Sequence, residues 1–279
     1  MTVPNAATAV EPGRAVGSAG GAFAAELTFT VEVAERAGRL LADRYERVER
    51  IDYKSARDVV TEVDHLSEEL ILEAIRSAYP GDALMAEESG EHQVAGRSRT
   101  WVIDPVDGTI NYANGIPFFC VAIALVVDGR PAVGVIHDPM RGDTFAATAD
   151  GPATLGGRPI AVSGKERLSD FVMSMALSGR AATARSRSIR RLVRITRSMG
   201  SAALSLAYVA NGRFDAFVQQ TGLSAWDVAA AGLIAERSGA GLTDPTGGPW
   251  FDLARGPRTV GVLAAPPAHL PELLRLIKG

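Results

Sequence analysis

Apolar and polar positions follow different rhythms along this chain, and each rhythm predicts a different kind of element. From Phe23 to about Val48, Leu27, Val31, Ala34 and Leu41 recur near helical spacing among charged residues, which predicts an amphipathic helix. A second helix is predicted from His65 to Ala78, with Leu66, Leu70, Ile71 and Ile75 on one side and Pro80-Gly81 as its stop. The rhythm then changes to short apolar runs bounded by turn residues: "ALMA" from Ala83, "WVID" from Trp101, "FFCVAIALVV" from Phe118, "AVGVIHD" from Ala132 and "DTFAATA" from Asp143. With Asp128-Gly129 and Asp150-Gly151 as punctuation, these read as strands, several joined as hairpins.

The second half alternates. A strand "FVMSMAL", a helix around residues 186–198, a helix from Ser201 to Ala210, a strand "FDAFV", a helix from Ala225 to Ser238, a strand "VGVLAA" and a final helix near 270 follow in turn. Strands interleaved with helices predict sheets covered by helical layers, a mixed α/β or α+β fold. With no repeat and no long linker, residues 23–279 read as a single domain. Its N-terminal half, to about 150, and its C-terminal half pack as one unit with a cleft between them. The first 22 residues, rich in Ala, Gly and Pro, read as a disordered tail without the basic start and apolar block of a secretory signal.

Composition narrows the function. Hydrophobic residues make up 47% of the 279, enough for an ample core, and no apolar run reaches the roughly 20 residues that span a bilayer. A net charge of −3 provides no global positive field to gather nucleic acid or an anionic membrane, so neither is an expected partner. The lone Cys120 excludes a disulfide framework, fits a reducing cytoplasm and reads as a small buried hydrophobe. In the arginine-rich stretch from Arg180 to Arg197, Ile189, Leu192, Val193 and Thr196 alternate with arginines as on a solvated amphipathic helix, with no aromatic residues for base stacking. A subunit edge or an anionic substrate is the other use such a segment could have.

The chemistry concentrates in "WVIDPVDGTINYANG", residues 101–115. Pro105 cannot donate a ladder hydrogen bond, so the strand is expected to end at Asp104, with Asp107 beside it on a turn. Read alone, the two acids are turn formers, with Asp107 capping a short helix that begins near Thr109. That reading leaves unexplained why two carboxylates stand together where one would take up a proton unless cations neutralise both. Gly108 permits close backbone approach to a ligand, and helix N-terminal N–H groups at Thr109 bind phosphate oxygens. Hard oxygen donors beside a phosphate select Mg²⁺.

"DPVDGTIN" (104–111) with the later "WDVAAAG" (226–232) resembles the paired signatures of the inositol monophosphatase family, Mg²⁺-dependent and typically lithium-sensitive phosphatases with a layered αβαβα fold. "KSARDVVTEVD" (54–64), "LMAEES" (84–89) and "GLTDPTGGPWFD" (241–252) are similar to further family segments, so the resemblance covers nearly the whole chain after the tail. It implies roles position by position. Glu87 is a metal ligand, with Glu88 a bystander. Asp104 bridges two metals, Val106 lends its backbone carbonyl, and Asp107 and Asp227 complete the set for two Mg²⁺ ions, a third being left open. Asp64 and Thr109 together orient the attacking water, alongside Glu87. Both Asp64, in Thr61-x-x-Asp64, and Asp227, in Ser224-x-x-Asp227, also fit capping boxes, and capping need not exclude ligation.

The implied reaction is in-line attack of water on a phosphate monoester, without a covalent phosphoenzyme. The resemblance assigns substrate contacts to Asp107, Gly108, Thr109, Gly200, Ser201 and Ala202. Where the family carries an inositol-reading glutamate, this chain has Gln219 and Gln220; Gln220 is taken as the equivalent, within one residue. An uncharged amide disfavours an amine-bearing substrate and still suits a polyol. The expected partner is therefore a small phosphorylated metabolite, inositol-1-phosphate first. Histidinol phosphate, fructose-1,6-bisphosphate, a 3′(2′),5′-bisphosphate nucleotide and a non-catalytic docking role are alternatives. The resemblance also implies a homodimer, and the cysteine usage places it in the cytoplasm.

Overall fold

The computed structural model describes residues 21–47, 51–55, 58–92, 98–179 and 182–278. Two long helices come first, α1 (Ala24–Arg44) and α2 (Glu62–Ala78), separated by a hairpin of β1 (Ile51–Ser55) and β2 (Asp58–Thr61). An eight-stranded sheet follows: β3 (Ala83–Ala86), β4 (Gly90–His92), β5 (Arg99–Asp107), β6 (Cys120–Val127), β7 (Arg130–Asp138), β8 (Asp143–Thr148), β9 (Thr154–Leu155) and β10 (Arg158–Pro159). Their order is β10-β9-β8-β7-β6-β5-β3-β4, antiparallel except for the parallel β3–β5 pair. Short α3 (Thr109–Ala113) leaves the end of β5.

The second sheet is built from β11 (Val172–Ala176), β12 (Ile195–Arg197), β13 (Ala216–Leu223), β14 (Gly241–Thr243) and β15 (Val260–Ala265), in the order β12-β11-β13-β15-β14. Its helices are α4 (Ala182–Leu192), α5 (Ala202–Ala210), α6 (Ala225–Arg237) and α7 (Leu270–Lys278).

Strand alternation assigns the layers. In β6, Val121, Ile123 and Leu125 join the core formed with α1 and α2, while Cys120, Ala122, Ala124 and Val126 join the core containing α5 and α6. In β15, Val260, Val262 and Ala264 meet α5 and α6 from the other sheet, and Leu263 and Ala265 face Ile189 of α4 and Leu273 and Ile277 of α7. The result is an αβαβα stack. A strand covered on both faces reads as an unbroken apolar run, which explains "FFCVAIALVV". α6 is hydrophobic nearly all round because it lies between two sheets.

Several expectations change. α2 begins at Glu62 rather than His65, because Thr61 serves as N-cap, and Leu66 is 36% exposed instead of facing the core with Ile71 and Ile75. The helix expected over 186–198 ends at Leu192, and Ile195–Arg197 forms the parallel edge strand β12. Ile189 and Val193 are buried there, whereas Leu192 and Ile195 are exposed. Of the tail, residues 1–20 lie outside the described residues; Ala22 donates its N–H to Asp150 at 3.0 Å. The large sheet runs to Pro159, past the expected division near 150. Among the described residues, no helix is long and apolar enough to cross a membrane.

Candidate active site

β5 does not stop at Asp104. Asp104 pairs with Ala122 and Asp107 with Cys120, so three steps on β5 oppose two on β6, a bulge that accommodates Pro105. In a regular strand, residues three apart point to opposite faces. The extra residue turns Asp107 to the same face as Asp104, toward α5 and α6. Asp107 therefore does not cap α3. That helix has Gly108 as N-cap, at φ 103°, with no side-chain cap. A Cβ at Gly108 would lie 3.1 Å from the Phe118 carbonyl and 3.3 Å from Ser201 Cβ. The close approach that requires glycine is thus made by the protein's own chain.

Asp227 arrives from the other half, on the first turn of α6, where one carboxylate oxygen accepts the Ser224 N–H at 2.5 Å. Capping uses that oxygen and leaves its other one for the cluster. Asp104, Asp107 and Asp227 each offer an oxygen within 4.8 Å of the others. Glu87, in the turn after β3, is hydrogen-bonded to Asp104. Burial first, then repulsion from Glu87, Asp107 and Asp227, pushes the Asp104 carboxyl well above the usual carboxylate range. Asp227 is raised in the same way, by burial and then by Asp107. Buried like charges of this kind are neutralised by protons or by cations, and an all-oxygen donor set fits Mg²⁺.

Asp107 is held from below. It accepts hydrogen bonds from the Ser201 hydroxyl, from Ala203 N–H at 2.7 Å and from Ala202 N–H at 3.3 Å. These donors form the N-terminus of α5, whose dipole favours an anion there. Burial still outweighs them and leaves the Asp107 carboxyl raised. Cys120 Sγ lies 3.8 Å from Asp107, and its thiol is pushed well up by burial, with Asp107 and Asp104 adding to the effect.

Two residues in this support have no counterpart in the sequence reading. Ala203 acts through its backbone, which no side-chain pattern reports. Asn111 was legible only as the last letter of "DPVDGTIN"; its amide donates to the Phe118 and Met199 carbonyls, both at 2.7 Å. It thereby ties α3 to the segment before Gly200. Gly200 has φ 83°, and a Cβ there would lie 2.8 Å from the Asn111 amide.

On the opposite side Thr109 Oγ1 lies 2.9 Å from Asp64 Oδ1 and 3.0 Å from the Val106 carbonyl. Asp64 is fully buried and its other oxygen closes the α2 cap, accepting Thr61 N–H at 2.9 Å and the Thr61 hydroxyl. The Val106 carbonyl keeps a second lone pair for a cation.

A cleft of about 280 Å³ opens beside the acids and is lined by Asp107, Gly200, Ser201, Ala202 and Asp227 among others. Gly108 and Thr109 are not on its wall. Nor is Gln220; of the two glutamines it is Gln219 that lines the cleft. Strand alternation sends Gln220 the other way. With its amide turned to satisfy both neighbours, Gln220 donates to the Ser178 carbonyl at 2.9 Å and accepts from Arg185 at 3.0 Å.

Comparison with known proteins agrees with this architecture. The sequence profile of the inositol monophosphatase family matches residues 24–278. The protein called Nus factor SuhB in Pseudomonas aeruginosa is 38% identical over 273 residues, covering 89% of this chain and 98% of the relative. Inositol monophosphatase 3 of Solanum lycopersicum is 32% identical over 257 residues, covering 88% and 93%. Among solved structures, the extragenic suppressor protein SuhB from Bartonella henselae superposes with a TM-score of 0.85 at 32% identity, over 91% of this chain and 98% of that one. The inositol monophosphatase of Thermotoga maritima gives 0.83 at 30% identity, over 91% and 97%.

Proposed function

The chain belongs to the inositol monophosphatase family, and from that premise we propose that it is a Mg²⁺-dependent hydrolase of a small phosphate monoester, inositol-1-phosphate before others. The observation that carries this reading is the convergence of Asp104, Asp107 and Asp227, oxygens within 4.8 Å, at the edge of a cleft sized for a small molecule. Glu87, Asp104, Asp107, Asp227 and the Val106 carbonyl are the groups that would hold two ions. Bound there, Mg²⁺ would supply Lewis-acid charge for the phosphoryl oxygens and the leaving alkoxide, and lower the pKa of the attacking water.

The chain's own residues do the rest. Thr109 has one hydroxyl hydrogen, and while Asp64 or the Val106 carbonyl takes it, the oxygen lone pairs point away from that acceptor and can accept a hydrogen bond from water. Asp64, buried and fixed by Thr61, sets that direction. Beyond Asp107 and Asp227, the polar lining of the cleft is uncharged, including Ser174, Ser198, Ser205 and Gln219. Hydroxyls and an amide suit the hydroxyls of a polyol and give an amine no carboxylate of its own, which sets histidinol phosphate lower.

The test is phosphate release with Mg²⁺ across a panel of monoesters, including fructose-1,6-bisphosphate, histidinol phosphate and a 3′,5′-bisphosphate nucleotide. The reading expects turnover highest on a polyol phosphate and inhibition by lithium. The relatives named Nus factor SuhB favour a second reading, in which the chain works by docking on another macromolecule and the expected absence of a nucleic-acid partner fails. No turnover across the panel, with a stable complex in a pull-down, would establish it. A cytoplasmic homodimer stands with the first reading and is tested by sedimentation.

A further inference from the structure

α2 presents Asp64, Ser67 and Glu68 on one face, at the i, i+3 and i+4 spacing that aligns side chains along a helix. All three are buried, and each holds a different segment of the site. Asp64 accepts from Thr109, and the Ser67 hydroxyl donates to the Pro105 carbonyl at 3.1 Å, inside the bulge that aligns Asp104 with Asp107. Glu68 spans the turn that carries Glu87. One carboxylate oxygen accepts the Glu88 N–H and the other the Ser89 N–H, both at 2.8 Å.

We propose that Glu68 is a positioning residue that fixes the Glu87 turn for metal binding, a role that rests on the phosphatase reading above. Glu68 is 3% exposed and both its oxygens face backbone N–H groups, so its role is to hold the turn and not to ligate. A buried carboxylate is costly unless its charge is met by good donors, and two consecutive N–H groups at 2.8 Å meet it. The neighbouring Glu87 N–H donates to the Ile103 carbonyl at 3.2 Å, so the turn is tethered to β5 as well as to α2. These two tethers orient Glu87 against Asp104 before any cation arrives. An apolar residue could fill the space left by Glu68, but it would take away the carboxylate oxygens to which the turn's two N–H groups donate. Outer groups that orient a ligand typically tune metal affinity by about 10–100-fold.

The experiment compares Glu68→Gln, which keeps the shape and loses one acceptor, with the wild-type chain. Three quantities are read: hydrogen exchange at the Glu88 and Ser89 amides without metal, Mg²⁺ affinity by calorimetry, and Tm. Expected are faster exchange at both amides and Mg²⁺ binding weakened by about tenfold or more. Unchanged exchange, or a lower Tm with wild-type Mg²⁺ affinity, would overturn the proposal. If Glu68→Gln does not fold, Glu68→Asp keeps the charge and withdraws the acceptors by one methylene, and the same readouts decide. A wild-type chain that takes up no Mg²⁺ would overturn the phosphatase reading itself, and this control is seen before any variant is compared.

Discussion

Asp107 and Ala203 are 96 positions apart, yet the carboxylate of one accepts the N–H of the other at 2.7 Å. The contact joins the bulge of the large sheet to the first turn of α5, so an acid assigned to a cation is also what seats the two halves of the site together. Replacing it should therefore cost both binding and architecture, and Asp104 is the cleaner probe.

Asp104→Asn keeps the size and removes a charge from a cluster that burial and repulsion already strain. Turnover on the best panel substrate should fall by orders of magnitude. The wild-type chain should gain several degrees of Tm in saturating Mg²⁺, about 2.7 kcal/mol at a concentration 100 times Kd. The variant should gain much less. Equal Mg²⁺ shifts in the two proteins would remove Asp104 from the ligand set.

Thr109→Val deletes the hydroxyl between Asp64 and the Val106 carbonyl while preserving shape. If that hydroxyl orients the attacking water, kcat should drop by about 10²-fold or more. Mg²⁺ affinity should stay near that of wild type. A kcat within a few-fold of wild type would rule the role out.

Gln219→Ala and Gln220→Ala separate neighbours that sequence cannot rank. Gln219 lines the cleft, so its loss should raise KM several-fold; Gln220 binds Ser178 and Arg185, so its loss should lower Tm and leave KM alone. The reverse pattern, read in paired steady-state and melting measurements, would restore Gln220 as the substrate contact.

His137 makes its own contribution to the pH dependence. Carried on β7 and buried against Gly38 of α1, with Nδ1 2.9 Å from the Thr144 hydroxyl, it has a pKa lowered to about 4 by burial first and Arg39 second, with Asp143 opposing. Its neutral form is the native one, and the unfolded chain binds the proton more readily. Stability from this group is complete above the unfolded pKa of about 6.5 and is lost as pH falls toward 4, amounting to about 3 kcal/mol. The raised acids of the cluster gain stability as pH falls, so the effect of His137 is read as a difference: in urea unfolding, wild type should lose about 2 kcal/mol more than His137→Gln between pH 7 and pH 5.

Gly134→Ala tests the packing of α6 on the large sheet. A Cβ at this position would lie 2.7 Å from the Ala230 carbonyl, which is backbone and cannot rotate away. A loss of about 1–3 kcal/mol is expected in denaturant unfolding. No loss would mean the two layers are looser than the structure shows.

The sequence by itself determined the type and order of the long helices and central strands, because hydrophobic period and turn residues are local properties, but not short strands such as β12, whose pairing is set by a distant neighbour. "ALMA" became β3, the apolar run from Phe118 supplied β6, and Pro80-Gly81 follows the end of α2. It also contained the motif residues, since Asp104, Asp107 and Asp227 stand in strings whose spacing is visible in one dimension. The tertiary structure alone decided what those residues face. A one-residue bulge turned Asp107 onto the face of Asp104, strand parity put Gln219 and not Gln220 in the cleft, and close packing by Phe118 and Ser201 required the glycine at 108. It alone showed that Glu68 holds the turn bearing Glu87 and that Ala203 holds Asp107, because the donors in both cases are backbone N–H groups. Every residue but proline carries such a group, so its use as a partner leaves no mark in the letters and is settled only when distant segments meet.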